Sequence, residues 1–87
     1  MKDIRMYCTA FCPYCVRAEA LLKSRGVEVS RIFIDSKPEG FRKLYALTGR
    51  HTVPQVFIGD RHVGGYDDLA ALEAQGKLDP LLADAVR

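Results

Sequence analysis

The stretch Ile4–Gly26 reads IRMYCTAFCPYCVRAEALLKSRG. Its opening residues alternate. Ile4, Met6 and Cys8 fall on one side of an extended chain, and Arg5 and Tyr7 on the other, so a period of two predicts a strand over residues 3–8. Pro13 then stands where a helix has its first residue, and Gly26 where it ends, with Ala18, Leu21 and Leu22 as the apolar stripe between them. Proline at the first helical position makes Cys12 the cap and puts Cys15 in the first turn. A helix N-terminus exposes unpaired N–H groups and a partial positive charge. A sulfur held there is stabilised as thiolate, the nucleophile of disulfide exchange. Positions i and i+3 share a helix face, near enough for two sulfurs to bond. Cys12, at the helix end, is the expected nucleophile, and Cys15, set deeper, is the expected resolving thiol. The alternative is a pair of buried structural thiols, as free cysteines often are. A setting between a strand and a Pro-initiated helix favours redox chemistry.

Outward from this stretch, Val27 to Ile34 is rich in β-branched and apolar residues and reads as a second strand, parallel to the first by the right-handed crossover rule. Pro38 opens a second helix, with Phe41, Leu44, Tyr45 and Thr48 spaced as one face, and Gly49 closes it. Gln55 to Ile58 and Arg61 to Val63 form a hairpin around Gly59-Asp60. Asp67 or Asp68 caps a third helix running to about Gln75, and Asp79-Pro80 starts a short last one. The order is β-α-β-α-β-β-α plus a short C-terminal helix. This is an α/β architecture with a four-stranded mixed sheet flanked by helices, and residues 1–87 make one domain.

Composition narrows the function. The 87 residues are 48% hydrophobic and 28% charged with a net charge of +2, too balanced and too scattered for a nucleic-acid binder. No apolar run approaches a membrane span, and Met1-Lys2-Asp3-Ile4 lacks a signal peptide's apolar region, so the expected compartment is the cytoplasm. Three cysteines crowded between Cys8 and Cys15 do not make a secreted disulfide framework. His51 and His62 do not pair with a second ligand at zinc spacing, so no metal is expected.

Four segments carry a resemblance: Cys12-Pro13-Tyr14-Cys15, Thr52-Val53-Pro54, Gly64-Gly65-Tyr66-Asp67-Asp68, and Leu78-Asp79-Pro80-Leu81. At these separations, over essentially the whole chain, the sequence resembles a dithiol glutaredoxin, a branch of the thioredoxin fold. The resemblance implies a glutathione–disulfide oxidoreductase with glutathione as co-substrate and no bound cofactor. It implies glutathionylated and disulfide-containing proteins as partners, and glutathione reductase as an indirect partner through glutathione disulfide. Charge and hydropathy give no nucleic acid or membrane partner, and a monomer is expected because no long amphipathic face is left over, with an intermolecular disulfide through Cys8 as the alternative. Two other readings stay open: an electron donor served by thioredoxin reductase, and a glutathione-ligated 2Fe–2S cluster carrier.

The resemblance also assigns residues. Pro54 is expected to be cis, facing the sulfurs. Val53 is expected to offer its backbone to the cysteinyl part of glutathione, with Thr52 beside it; the plainer reading of Thr52-Val53-Pro54 is a loop-to-strand junction. Gly64 and Gly65 let backbone approach the ligand. The N–H groups of Tyr66, Asp67 and Asp68 suit the γ-glutamyl carboxylate, and an Asp67 or Asp68 carboxylate suits its ammonium; a glycine turn with an Asp cap is the plainer reading. Family members often carry Lys three residues before the first active-site Cys, where this chain has Thr9. Candidates to replace that cation are Arg50, Arg42 and Lys37, each otherwise a solvated surface charge, and Tyr14 adds a hydroxyl. His51 is a weaker candidate as an acid–base group. Where family members carry Cys, Phe or Tyr, this chain has Tyr66. Cys8 reads as a small core residue, or else as a third redox thiol.

Overall fold

The computed structural model describes residues 4–85. The expected strand start at Asp3 lies outside them. Strand β1 is Ile4–Cys8, with Ile4, Met6 and Cys8 buried and Arg5 and Tyr7 half-buried. Helix α1, Pro13–Ser24, begins on its proline and ends with Arg25 and Gly26, whose N–H groups reach Leu22 and Lys23 carbonyls. Ala18 and Leu22 are fully buried and Leu21 is half-buried.

The second strand is shorter than the sequence suggests. Strand β2 is Ser30–Phe33, and all four residues are exposed. Val27 packs into the core from the preceding connection, and Ile34 does so from a 3-10 turn, Ile34–Ser36. Their apolar character belongs to these flanks and not to the strand.

The second helix also differs. Helix α2, Gly40–Thr48, starts two residues after Pro38. The Gly40 N–H reaches the Lys37 carbonyl at 3.1 Å, so Pro38 fills the second position of a β-turn, where its fixed φ is equally suited. Of the expected apolar face only Leu44 is buried, while Phe41 and Tyr45 are exposed. Gly49 caps the helix in the left-handed region.

Strands β3, Gln55–Ile58, and β4, Arg61–Gly64, join through Gly59-Asp60 as expected. Helix α3 is Tyr66–Ala74, with Gly65 as its cap. Neither Asp67 nor Asp68 caps it, because both lie inside its first turn. Helix α4, Leu78–Ala85, starts before Asp79, leaving Asp79 and Pro80 in a first turn where the missing proline N–H costs nothing.

The sheet order is β2-β1-β3-β4, with β1 and β2 parallel and the other neighbours antiparallel. Ile4, Met6, Cys8, Val56 and Ile58 on one face meet Cys15, Ala18 and Leu22 of α1, Leu69 of α3, and Leu78 and Leu82 of α4. Tyr7 belongs to the other face, where it shares a groove with Leu44 of α2 and Ile34. This is the α/β sandwich with a four-stranded mixed sheet that the sequence implies.

Candidate active site

The site begins where β1 ends. Residues 9–12 lead across to α1, and Asp35 holds this connection by accepting the Ala10 N–H at 3.1 Å. Cys12 is extended (φ −137°, ψ 101°) and caps α1: its Sγ accepts the Cys15 N–H at 3.2 Å, and its carbonyl accepts the Val16 N–H at 3.1 Å. A thiolate accepts such a bond more strongly than a thiol does, because charge-assisted hydrogen bonds are the strong ones. Cys12 is half-buried and Cys15 is buried, at 4% exposure. Burial, with the hydrogen bond to Cys12 second, pushes the Cys15 thiol up to about 12. Cys8 lies in the core at 1% exposure, and burial raises its pKa as well. No disulfide joins the three.

The Cys12 thiol points at the Val53 carbonyl oxygen, 3.9 Å away. The Val53–Pro54 peptide bond is cis. These residues form one wall of a cleft of about 250 Å³ lined by Tyr14, Arg50, Thr52, Val53, Pro54, Gly65, Tyr66, Asp67 and Asp68. Every one of them is named by the sequence reading, although their positions run from 14 to 68.

Local chemistry explains how the cleft is held. Thr48, at the end of α2, donates its hydroxyl to the Leu44 carbonyl at 2.8 Å and accepts the Arg50 N–H at 3.0 Å, which turns the chain toward the cleft. Gly64 takes a φ of +119°, and a Cβ there would overlap the Asp68 carboxylate. A Cβ on Gly65 would sit 3.4 Å from the Pro54 carbonyl oxygen, so the turn packs closely against the cis-proline segment. Asp68 accepts the Gly65 N–H at 2.9 Å and the Arg50 Nη1 at 2.8 Å. The Arg50 bond, then the Gly65 bond, hold its carboxyl below the ordinary range. The first-turn N–H groups of α3 have no intrahelical acceptor, which makes this helix end attractive to an anion. Across the cleft, the rings of Tyr14 and Tyr66 are 6.0 Å apart.

Other candidates lie elsewhere. Arg42 is exposed on α2 and does not line the cleft, since it stands near the end of the helix remote from Arg50. Lys37 lines the groove between β2 and α2. His51 is exposed and stacks on Tyr45, with ring centroids 4.2 Å apart. Thr9 lines a separate cavity of about 90 Å³ with Cys8, Cys12 and Cys15. Gln55 and His62, missed by the sequence reading, join Thr52 through side-chain hydrogen bonds. The signal was available: a two-residue hairpin sets Phe57 opposite His62 and brings Gln55 within reach. Among the described residues, no group of three or more His, Cys, Asp and Glu side chains is arranged to hold a metal.

Known proteins share this sequence and fold. The glutaredoxin family model matches residues 4–63. A glutaredoxin of Pseudomonas aeruginosa is 52% identical over 83 residues, covering 95% of this chain and 99% of that protein. Glutaredoxin 3 of Escherichia coli is 48% identical over 82 residues, covering 94% and 99%. The crystal structure of a buckwheat glutaredoxin–glutathione complex superposes with a TM-score of 0.88 at 32% identity, covering 95% of this chain and 78% of that one. By sequence over nearly its whole length and by fold, the chain belongs to the glutaredoxin family of thiol oxidoreductases.

Proposed function

We propose that the chain reduces protein–glutathione mixed disulfides and protein disulfides with electrons from glutathione. One observation carries this reading: the Cys12 sulfur stands 3.9 Å from the Val53 carbonyl, beside a cleft that ends at the α3 N-terminus. A tripeptide disulfide lying along that cleft brings its sulfur to Cys12. Its cysteinyl backbone pairs with Val53 as one added β-bridge. Its γ-glutamyl carboxylate meets the N–H groups of α3, and Asp67 takes the ammonium, since Asp68 is engaged by Arg50 and Gly65. Arg50 spends one of its N–H donors on Asp68 and keeps others for the glycine carboxylate, in place of the lysine that Thr9 lacks. The glutathione in the buckwheat complex supports the same ligand here.

In the monothiol route, Cys12 thiolate attacks the glutathione sulfur of a protein mixed disulfide, and the protein sulfur leaves as thiolate and takes a proton. Glutathione thiolate then attacks the Cys12–glutathione disulfide, releasing glutathione disulfide and restoring Cys12. In the dithiol route, Cys12 forms a mixed disulfide with a protein and Cys15 displaces the protein thiol, leaving Cys12–Cys15. Two glutathiones then reduce that bond. Glutathione reductase and NADPH recycle glutathione disulfide outside this chain. The balance suits a monomer in the cytoplasm, where glutathione is abundant and reduced.

The test is turnover of a glutathionylated peptide, coupled to glutathione reductase and NADPH. Cys12→Ser should be inactive and Cys15→Ser should keep a substantial rate. Absence of glutathione-dependent turnover in the unsubstituted protein would overturn the reading and leave reduction by thioredoxin reductase as the route to try.

A further inference from the structure

Gln55 is the one fully buried polar side chain among the described residues, at 0% exposure. A buried carboxamide is costly unless each polar atom is bonded. Here each is. Nε2 donates to the Thr52 carbonyl at 3.0 Å and to Thr52 Oγ1 at 3.2 Å, and Oε1 meets His62 Nε2 at 2.7 Å. Thr52's carbonyl can only accept, so the amide nitrogen must face it. The amide oxygen then faces His62, and His62 must carry its proton on Nε2. Burial, with Arg50's charge second, holds the His62 pKa below its ordinary value, so the ring is neutral at pH 7 and this is the proton it donates.

The strand pair is irregular where this happens. Val56 pairs with Gly64 and Phe57 with His62, so Val63 is the extra residue of a bulge. A bulge re-aims side chains, and here His62 also stacks on Phe57, with centroids 4.9 Å apart. An apolar residue at position 55 would fill the same space with nothing to satisfy. The polar chain instead runs from the β3–β4 hairpin to Thr52, the residue before Val53.

We propose that Gln55 and His62 are positioning residues for the substrate-binding wall of the cleft. Through Thr52 they hold Val53 in the conformation that pairs with the cysteinyl backbone of glutathione. This rests on the glutathione-dependent reading above. Neither residue touches the reacting sulfurs, so its loss should appear in substrate binding and not in the reactivity of Cys12.

The experiment compares the unsubstituted protein with His62→Phe, which keeps a ring over Phe57, Gln55→Met, which keeps the volume, and His62→Gln, which restores a donor. Two quantities are measured: KM for a glutathionylated peptide, and the alkylation rate of Cys12 by iodoacetamide. His62→Phe and Gln55→Met should each raise KM about tenfold, the size of one lost hydrogen bond, with the alkylation rate unchanged. The double variant should be no worse than either single one, since both act through Thr52, and His62→Gln should return KM toward its starting value. A folded His62→Phe with unaltered KM overturns the inference, as do losses that simply add. Failure of the unsubstituted protein to turn over with glutathione overturns the underlying reading too, and the first measurement alone identifies that case.

Discussion

Cys12 and Cys15 stand three residues apart in different surroundings. Cys12 caps a helix and accepts an N–H, whereas Cys15 is buried with its pKa pushed up to about 12. Two of the causes, the hydrogen bond to Cys12 and its charge, vanish once Cys12 is tied up in a mixed disulfide. Burial, the largest cause, remains. Cys15 must still lose a proton to attack, and with a raised pKa its thiolate fraction climbs about tenfold per pH unit below that value. Ring closure in preformed Cys12–glutathione protein, without added glutathione, should therefore quicken about tenfold per unit between about pH 7 and about pH 9. Stopped-flow release of glutathione measures this, and Cys15→Ser should release none. Which cysteine caps α1 is legible in the sequence, because proline at a helix start fixes it. The pairing of Arg50 with Asp68 is not, since residues 18 apart meet only once the hairpin and α3 are in place. Arg42, Arg50 and Lys37 look alike as sequence, and only their places in the fold tell them apart: Lys37 lines the groove beside β2, Arg42 is exposed on α2, and Arg50, just past the end of α2, lines the cleft.

Helix α1 reads clearly because its signals are local: proline at one end, glycine at the other, and an apolar stripe between them. Helix α2 reads poorly because its start is decided by the 3-10 turn before it. Gly40 packs there against the Ile34 backbone, and a Cβ would overlap the Ile34 carbonyl. Gly40→Ala should cost about 1–3 kcal/mol in denaturant unfolding, as overpacking does, without altering the Cys12 alkylation rate. The apolar content of Phe41 and Tyr45 gives no warning of this, because the helix face is rotated so that Leu44 alone is buried. Likewise Val27 and Ile34 carry a strand-like composition but pack from outside β2. The cap of α3 is hidden for another reason. Asp68 bonds backward to Gly65 from inside the first turn, a geometry that the residue order Gly-Tyr-Asp-Asp does not distinguish from an Asp cap.

At the scale of the molecule, the sheet order places the ends of three elements together: the start of α1, the start of α3, and the turn entering β3. Two helix N-termini border one cleft, so partial positive charge collects there although the chain carries only +2 overall. The parallel pairing of β1 with β2 and the β3–β4 hairpin are legible in the sequence, because a β-α-β crossover and a two-residue connection allow few alternatives, whereas the antiparallel β1–β3 pairing that joins the two halves carries no local signal. The burial of two cysteines has a practical consequence. Of three sulfurs, the folded protein offers one to a reagent, for Cys8 and Cys15 are almost wholly covered. Intact-mass analysis after brief iodoacetamide treatment of the reduced protein should find a single adduct, absent in Cys12→Ser, and denaturant should admit the other two. Two adducts appearing together in the native protein would contradict the burial of Cys8 or Cys15. Adduct number thus becomes a built-in gauge of how much of the population is unfolded, with no dye or tag attached.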